Sequence, residues 1–202
     1  MKRVFPCGHF TISTDSSPGV HLRVKGFPAP LVAGPFPNRH QPDWFVLRQA
    51  GIRHLVCLAS SQPELRYDPC MAGLSWLAKE DMLELADLIE PGATAGIWQR
   101  SLQVASDDEA RKARRQDRAK LLQIAHSVLA ALWRGEGVLV HCEYGVERTG
   151  VLISLVLKLV CGDADEATDA VARGLSPHSS RSDDLGKRYG NVLTALHFDT
   201  RF

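Results

Sequence analysis

Between residues 137 and 160 an apolar strand, a seven-residue polar loop and an apolar helix follow one another without interruption. Gly137-Val138-Leu139-Val140-His141 is short, rich in β-branched residues and bounded by glycine, the signature of a buried strand. Residues 149–160 form a longer apolar run with a helix former's composition. A buried strand that hands its chain so quickly to a helix is the unit from which α/β folds are built. It also leaves the intervening loop, Cys142-Glu143-Tyr144-Gly145-Val146-Glu147-Arg148, wrapped tightly at the end of a strand.

The rest of the chain repeats the alternation. Two short strands are expected near residues 20–24 and 31–33, separated by Gly26, Pro28 and Pro30. A helix over 43–50, stopped by Gly51, leads into a strand over 52–58. Residues 79–89 place Met82, Leu85, Leu88 and Ile89 at helical spacing, and 96–104 reads as a further strand. From Ser106 a long charged helix begins, with Leu121, Leu122, Ala125, Val128, Leu129 and Leu132 on one face. Two more helices, over 163–173 and 182–197, complete the chain. The expected fold is α/β, with a central, largely parallel sheet flanked by helices. Residues 1–19, rich in Gly, Ser, Thr and Pro, read as an irregular lead-in to one catalytic domain over 20–202.

Charge narrows the partners. The chain of 202 residues carries 24 basic and 23 acidic side chains, so no overall field gathers nucleic acid or an anionic membrane. Neither partner is expected, and any preference for anions must be local. Met1-Lys2-Arg3 is not followed by an apolar export signal, and the most apolar segment, 151–161, is too short to span a bilayer. Five scattered cysteines, Cys7, Cys57, Cys70, Cys142 and Cys161, show no zinc-like pairing. They suggest free thiols in a reducing, cytoplasmic setting. No metal or cofactor is called for.

The loop has its own chemical logic. Wound tightly, the backbone N–H groups of Glu143, Tyr144, Gly145, Val146 and Glu147 can turn inward as an anion nest. The following helix adds the positive end of its dipole. Arg148 offers a planar fork matched to two phosphate oxygens. The same surroundings favour a thiolate at Cys142, an activated nucleophile facing the bound phosphorus. Thr149 can donate its hydroxyl to that sulfur when it leaves, and Gly145 supplies a backbone geometry that a side chain hinders.

His141-Cys142-x-x-Gly145-x-x-Arg148-Thr149-Gly150 resembles the active-site loop of the protein tyrosine and dual-specificity phosphatase superfamily. The order Leu31-Val32-Ala33-Gly34, then Leu47-x-x-x-Gly51-Ile52-x-x-Leu55-Val56-x-Leu58, is similar to the opening of its compact dual-specificity type. The resemblance implies hydrolysis of phosphotyrosine, with phosphoserine and phosphothreonine as further candidates, through a cysteinyl-phosphate intermediate. A phosphorylated protein or peptide is then the partner. Alternatives within the same chemistry are an inositol phosphate, a nucleotide or an RNA 5′-phosphate; a phosphate-binding pseudophosphatase is the non-enzymatic one. The resemblance also assigns His141 to orienting the loop or tuning the thiolate, and it places the polar loop Ser176-Pro177-His178-Ser179-Ser180-Arg181 beside the site with Arg181 as a second anion contact; a plain surface loop is the other reading.

The family mechanism needs a carboxylic acid to protonate the leaving oxygen. In this chain the place after the strand over 96–104 holds Ser106-Asp107-Asp108, so Asp107 is the first candidate and Asp108 the second. Ser106 to Glu109 is equally a capping box, in which acidic residues simply favour the helix start. Glu143 and Glu147 lie where inositol-lipid phosphatases carry lysines, which disfavours a polyanionic headgroup; Glu147 can instead pair with an arginine. Cys57, near the end of a strand beside the catalytic loop, is a candidate for a protective disulfide with Cys142, though a buried strand cysteine is the simpler reading.

Overall fold

The computed structural model describes residues 3–14, 19–35, 43–58, 82–84, 108–142, 144–179 and 185–195. Among them, seven strands form one sheet: β1 (Val4–Cys7), β2 (Phe10–Thr14), β3 (Leu22–Lys25), β4 (Leu31–Gly34), β5 (Ile52–Cys57), β6 (Met82–Glu84) and β7 (Gly137–His141). Their order across the sheet is β1-β2-β3-β4-β7-β5-β6. Helices α1 (Asp43–Gln49), α2 (Asp108–Trp133), α3 (Glu147–Cys161), α4 (Ala164–Leu175) and α5 (Leu185–Ala195) accompany it, with a 3-10 turn at Ser176–His178.

The expected α/β architecture is present, but the sheet is mixed rather than largely parallel. β4, β7, β5 and β6 run parallel, whereas β1, β2, β3 and β4 form an antiparallel meander. Two of the three antiparallel pairings involve residues 4–14, expected within an irregular lead-in but folded as two strands. Cys7 pairs with Phe10, leaving Gly8-His9 as a two-residue hairpin turn, and Gly8 holds the positive φ of 55° such turns demand. Pro6 fits because β1 is an edge strand, where a missing N–H breaks no ladder. Glycine and proline thus mark a hairpin here.

The helix expected over 79–89 is also corrected. Met82–Glu84 is a strand that pairs in parallel with Leu55–Cys57, so sheet extension overrides a weak helical spacing. The strand expected over 96–104 lies outside the described residues.

The strongest local patterns fold as they read. β7 is buried at every position, as suits a central parallel strand covered on both faces. On α2, Leu121, Ala125, Val128 and Leu132 are buried while Leu122 and Leu129 pack at the margin of the core. α3 is buried continuously from Thr149 to Lys158, packing against α2, α4, α5, β4 and β7. Gly162, at φ 79°, ends α3 with its N–H on the Lys158 carbonyl. Asp163 then caps α4, accepting from the N–H groups of Asp165 and Glu166 at 2.9 and 3.0 Å. Among the described residues no helix is long and apolar enough to cross a membrane.

Candidate active site

β7 enters the sheet between two strands that precede it in the chain. His141 is in register with Gly34 at the end of β4 and with Cys57 at the end of β5. The loop that follows therefore emerges at the carboxyl edge of the parallel strands, between two other strand-to-loop exits. In open α/β sheets this is where ligand crevices form.

One close backbone approach and four hydrogen bonds hold the loop in place. Gly145 adopts φ 71°, and a Cβ there would collide with the backbone of Gly34 and Pro35, so only glycine lets the loop rest on the end of β4. On the other side, the Leu58 N–H donates to the His141 carbonyl at 2.8 Å, and Arg148 Nη1 donates to the Leu58 carbonyl at 3.2 Å. The guanidinium is thereby held between the end of β5 and the start of α3. His21 Nε2 donates to the Tyr144 carbonyl at 3.1 Å, and the buried Tyr189 hydroxyl donates to the Val146 carbonyl at 3.0 Å.

The last two bonds bear on anion binding. In a trans peptide the C=O and the next residue's N–H point in opposite directions. Drawing the Tyr144 and Val146 carbonyls toward His21 and Tyr189 turns the N–H groups of Gly145 and Glu147 the other way. Val146, the N-cap of α3, makes no side-chain capping bond, so its side chain does not compete for the helix's first amides.

Cys142 sits at this junction as a free thiol, 4% exposed. His141 is fully buried beside it; burial pushes its pKa down to about 4, against the opposing effect of a hydrogen bond with the Cys142 backbone. The imidazole is therefore neutral at physiological pH. Thr149 is also fully buried, and its hydroxyl has no hydrogen-bond partner among the described residues. Such a group ordinarily costs stability unless something completes it.

Glu147 does pair with an arginine, as its charge invites: Arg188 Nη1 of α5 donates to its carboxylate. Asp108 is the first residue of α2. Asp107, Glu143 and Arg181 lie outside the described residues. Cys57 lies beside His141 in the ladder.

Sequence reasoning missed Tyr189, Arg188 and His21. The ring of His21 stacks on that of His178, with centroids 3.8 Å apart and planes within 15°. Burial, then the neighbouring His178, push the pKa of His21 down to about 4. Tyr189 left a trace only in retrospect. Gly150 follows Thr149 because the Tyr189 ring occupies the space a Cβ would need.

Comparison with known proteins is consistent with this arrangement. The crystal structure of P. aeruginosa TpbA superposes with a TM-score of 0.52 at 18% identity, covering 88% of this chain and 84% of that one. The active form of Tk-PTP gives 0.54 at 19% identity, covering 87% and 95%. A cysteine-to-serine variant of P. aeruginosa TpbA in complex with pTyr gives 0.53 at 18%, covering 91% of each chain. No curated protein sequence matches the chain. The model of the tyrosine phosphatase family, however, matches residues 39–169, which take in β5, α2, β7, the cysteine loop and α3. The chain belongs to the tyrosine phosphatase family.

Proposed function

We propose that this chain hydrolyses phosphate monoesters, phosphotyrosine foremost, through a cysteinyl-phosphate intermediate on Cys142. The observation that carries the reading is the clamped loop, with a buried thiol at one end, Arg148 at the other and outward-anchored carbonyls between. That arrangement suits a tetrahedral dianion whose charge grows on its equatorial oxygens during transfer.

In the first step the Cys142 thiolate attacks phosphorus as the ester oxygen departs in line. Arg148 and the loop amides hold the three non-bridging oxygens. Asp107 or Asp108 protonates the leaving oxygen, and the same carboxylate then takes a proton from the water that attacks the phosphocysteine. Thr149 donates to the sulfur as it is released, which gives the orphaned hydroxyl a role. His141 orients the loop from behind and requires no proton of its own. Glu147, neutralised by Arg188, does not repel the incoming dianion. The pTyr complex of the similarly folded TpbA variant supports phosphotyrosine as the first substrate to test.

The test is turnover against a panel of phosphotyrosine and phosphothreonine peptides, inositol phosphates and an aryl phosphate. Phosphotyrosine peptide and aryl phosphate should be hydrolysed fastest, and Cys142→Ser should abolish turnover while the protein still binds inorganic phosphate. Unchanged turnover in that variant would remove Cys142 from the mechanism. Faster cleavage of inositol phosphates would reassign the substrate. Of Asp107→Ala and Asp108→Ala, the one that replaces the acid should lower kcat by roughly 10²–10⁴-fold with KM little changed.

A further inference from the structure

Two of the five cysteines that look scattered in the sequence meet in the fold. Cys7 closes β1 and Cys161 closes α3, 154 positions apart, and their Sγ atoms lie 3.3 Å from each other. Cys161 Sγ also approaches the Cys7 carbonyl at 3.5 Å. The approach is held by more than the sulfurs. The N–H of Gly8, in the hairpin turn, donates to Glu166 Oε1 of α4 at 2.8 Å. The hairpin is thus seated on the α3–α4 junction by its backbone.

We propose that Cys7 and Cys161 are a disulfide site, which on oxidation bolts the N-terminal hairpin to the far end of the catalytic helix. Bonding requires the sulfurs to close to about 2.05 Å, a movement of roughly one ångström that side-chain rotation can supply. The oxidant is a small-molecule disulfide such as oxidised glutathione. Cys161, the partly exposed member, loses its proton and attacks one sulfur, releasing the first thiolate and leaving a mixed disulfide. Cys7 then loses its proton and attacks the Cys161 sulfur, releasing the second thiolate. Two protein thiols and one disulfide become one protein disulfide and two small thiols, which carry away both protons.

Burial pushes the pKa of both thiols upward, and the nearby carboxylates of Glu166 and Asp163 act in the same direction. The pair is accordingly a poor peroxide sensor and a slow exchanger. It is suited to one lasting bond made where the surroundings are oxidising. Cys142 stands clear of it: α3 runs for 15 residues between the loop and Cys161, a length of roughly 22 Å. Oxidation at one end of the helix therefore leaves the thiol at the other unpaired.

The test uses the full chain carrying Cys142→Ser, incubated with oxidised glutathione, alkylated, digested and analysed by mass spectrometry. A linked peptide pair containing Cys7 and Cys161 is expected. The melting temperature should rise by roughly 5–15 °C, as for a bridge closing a long loop in a chain of this size, and should fall back with dithiothreitol. Adding Cys7→Ser or Cys161→Ala should abolish the reversible shift; either variant suffices if the other folds poorly. Linkage through Cys57 or Cys70 instead, glutathione adducts alone, or a bridge that forms without raising the melting temperature would each overturn the proposal.

Discussion

At the scale of single residues, the cysteine loop is unusual in carrying nearly all its reactive groups within ten consecutive positions. In the proposed mechanism nucleophile, cradle and leaving-sulfur donor are neighbours in sequence, because backbone amides would do much of the binding. That is why His141 to Gly150 could be read without a structure. The residues that aim those amides come from elsewhere and carry no local mark. Tyr189 is one of them, lying 43 positions from the carbonyl it holds. Tyr189→Phe removes one of two donors to the Val146 carbonyl, the other being the Gly150 N–H at 2.8 Å, at a cost of about 0.5–1.5 kcal/mol. Thermal unfolding should register that loss, and the affinity for inorganic phosphate should weaken with it. Arg148→Lys keeps the charge and loses the fork. It should lower kcat by roughly 10²–10³-fold, the usual cost of one oxyanion contact, with the melting temperature nearly unchanged.

At the scale of elements, legibility followed local strength. β7 and α3 are apolar over their full length, and no competing pattern was available to them. The N-terminal hairpin was misread because a glycine turn and an edge-strand proline look like breakers until a partner strand is seen beside them. β6 was misread because three residues of parallel pairing leave less trace than four apolar side chains at helical spacing. Two junctions illustrate how elements are stopped and joined. Asp163→Ala removes the cap of α4 and should cost about 1 kcal/mol, read as a lower urea midpoint. Gly150→Ala would place a methyl within 2.6 Å of Tyr189 Cε2, where both α3 and α5 are buried. Overpacking there should cost about 1–3 kcal/mol and shift the loop at the same time. Both stability and phosphate affinity should fall, whereas the Asp163 change should move stability alone.

At the scale of the whole molecule, one buried and one half-buried histidine tie stability to pH. His141 and His21 stay neutral in the folded chain until about pH 4, whereas in the unfolded chain they take up protons near the ordinary 6.5. The unfolded state binds more protons between those limits, so stability is complete above pH 6.5 and is lost as pH falls toward 4. For the fully buried His141 the loss approaches about 3 kcal/mol; for half-buried His21 it is smaller. Urea unfolding across that range should show the decline, and His21→Asn should flatten part of it. The sequence alone determined the reactive loop, the strand before it and the helix after it, because those depend on neighbours in the chain. It did not determine that β7 would lie between β4 and β5, that His21 and Tyr189 would hold the loop's carbonyls, or that Cys7 would meet Cys161. Such contacts join residues tens to more than a hundred positions apart, and only packing of the completed sheet and helices brings them together.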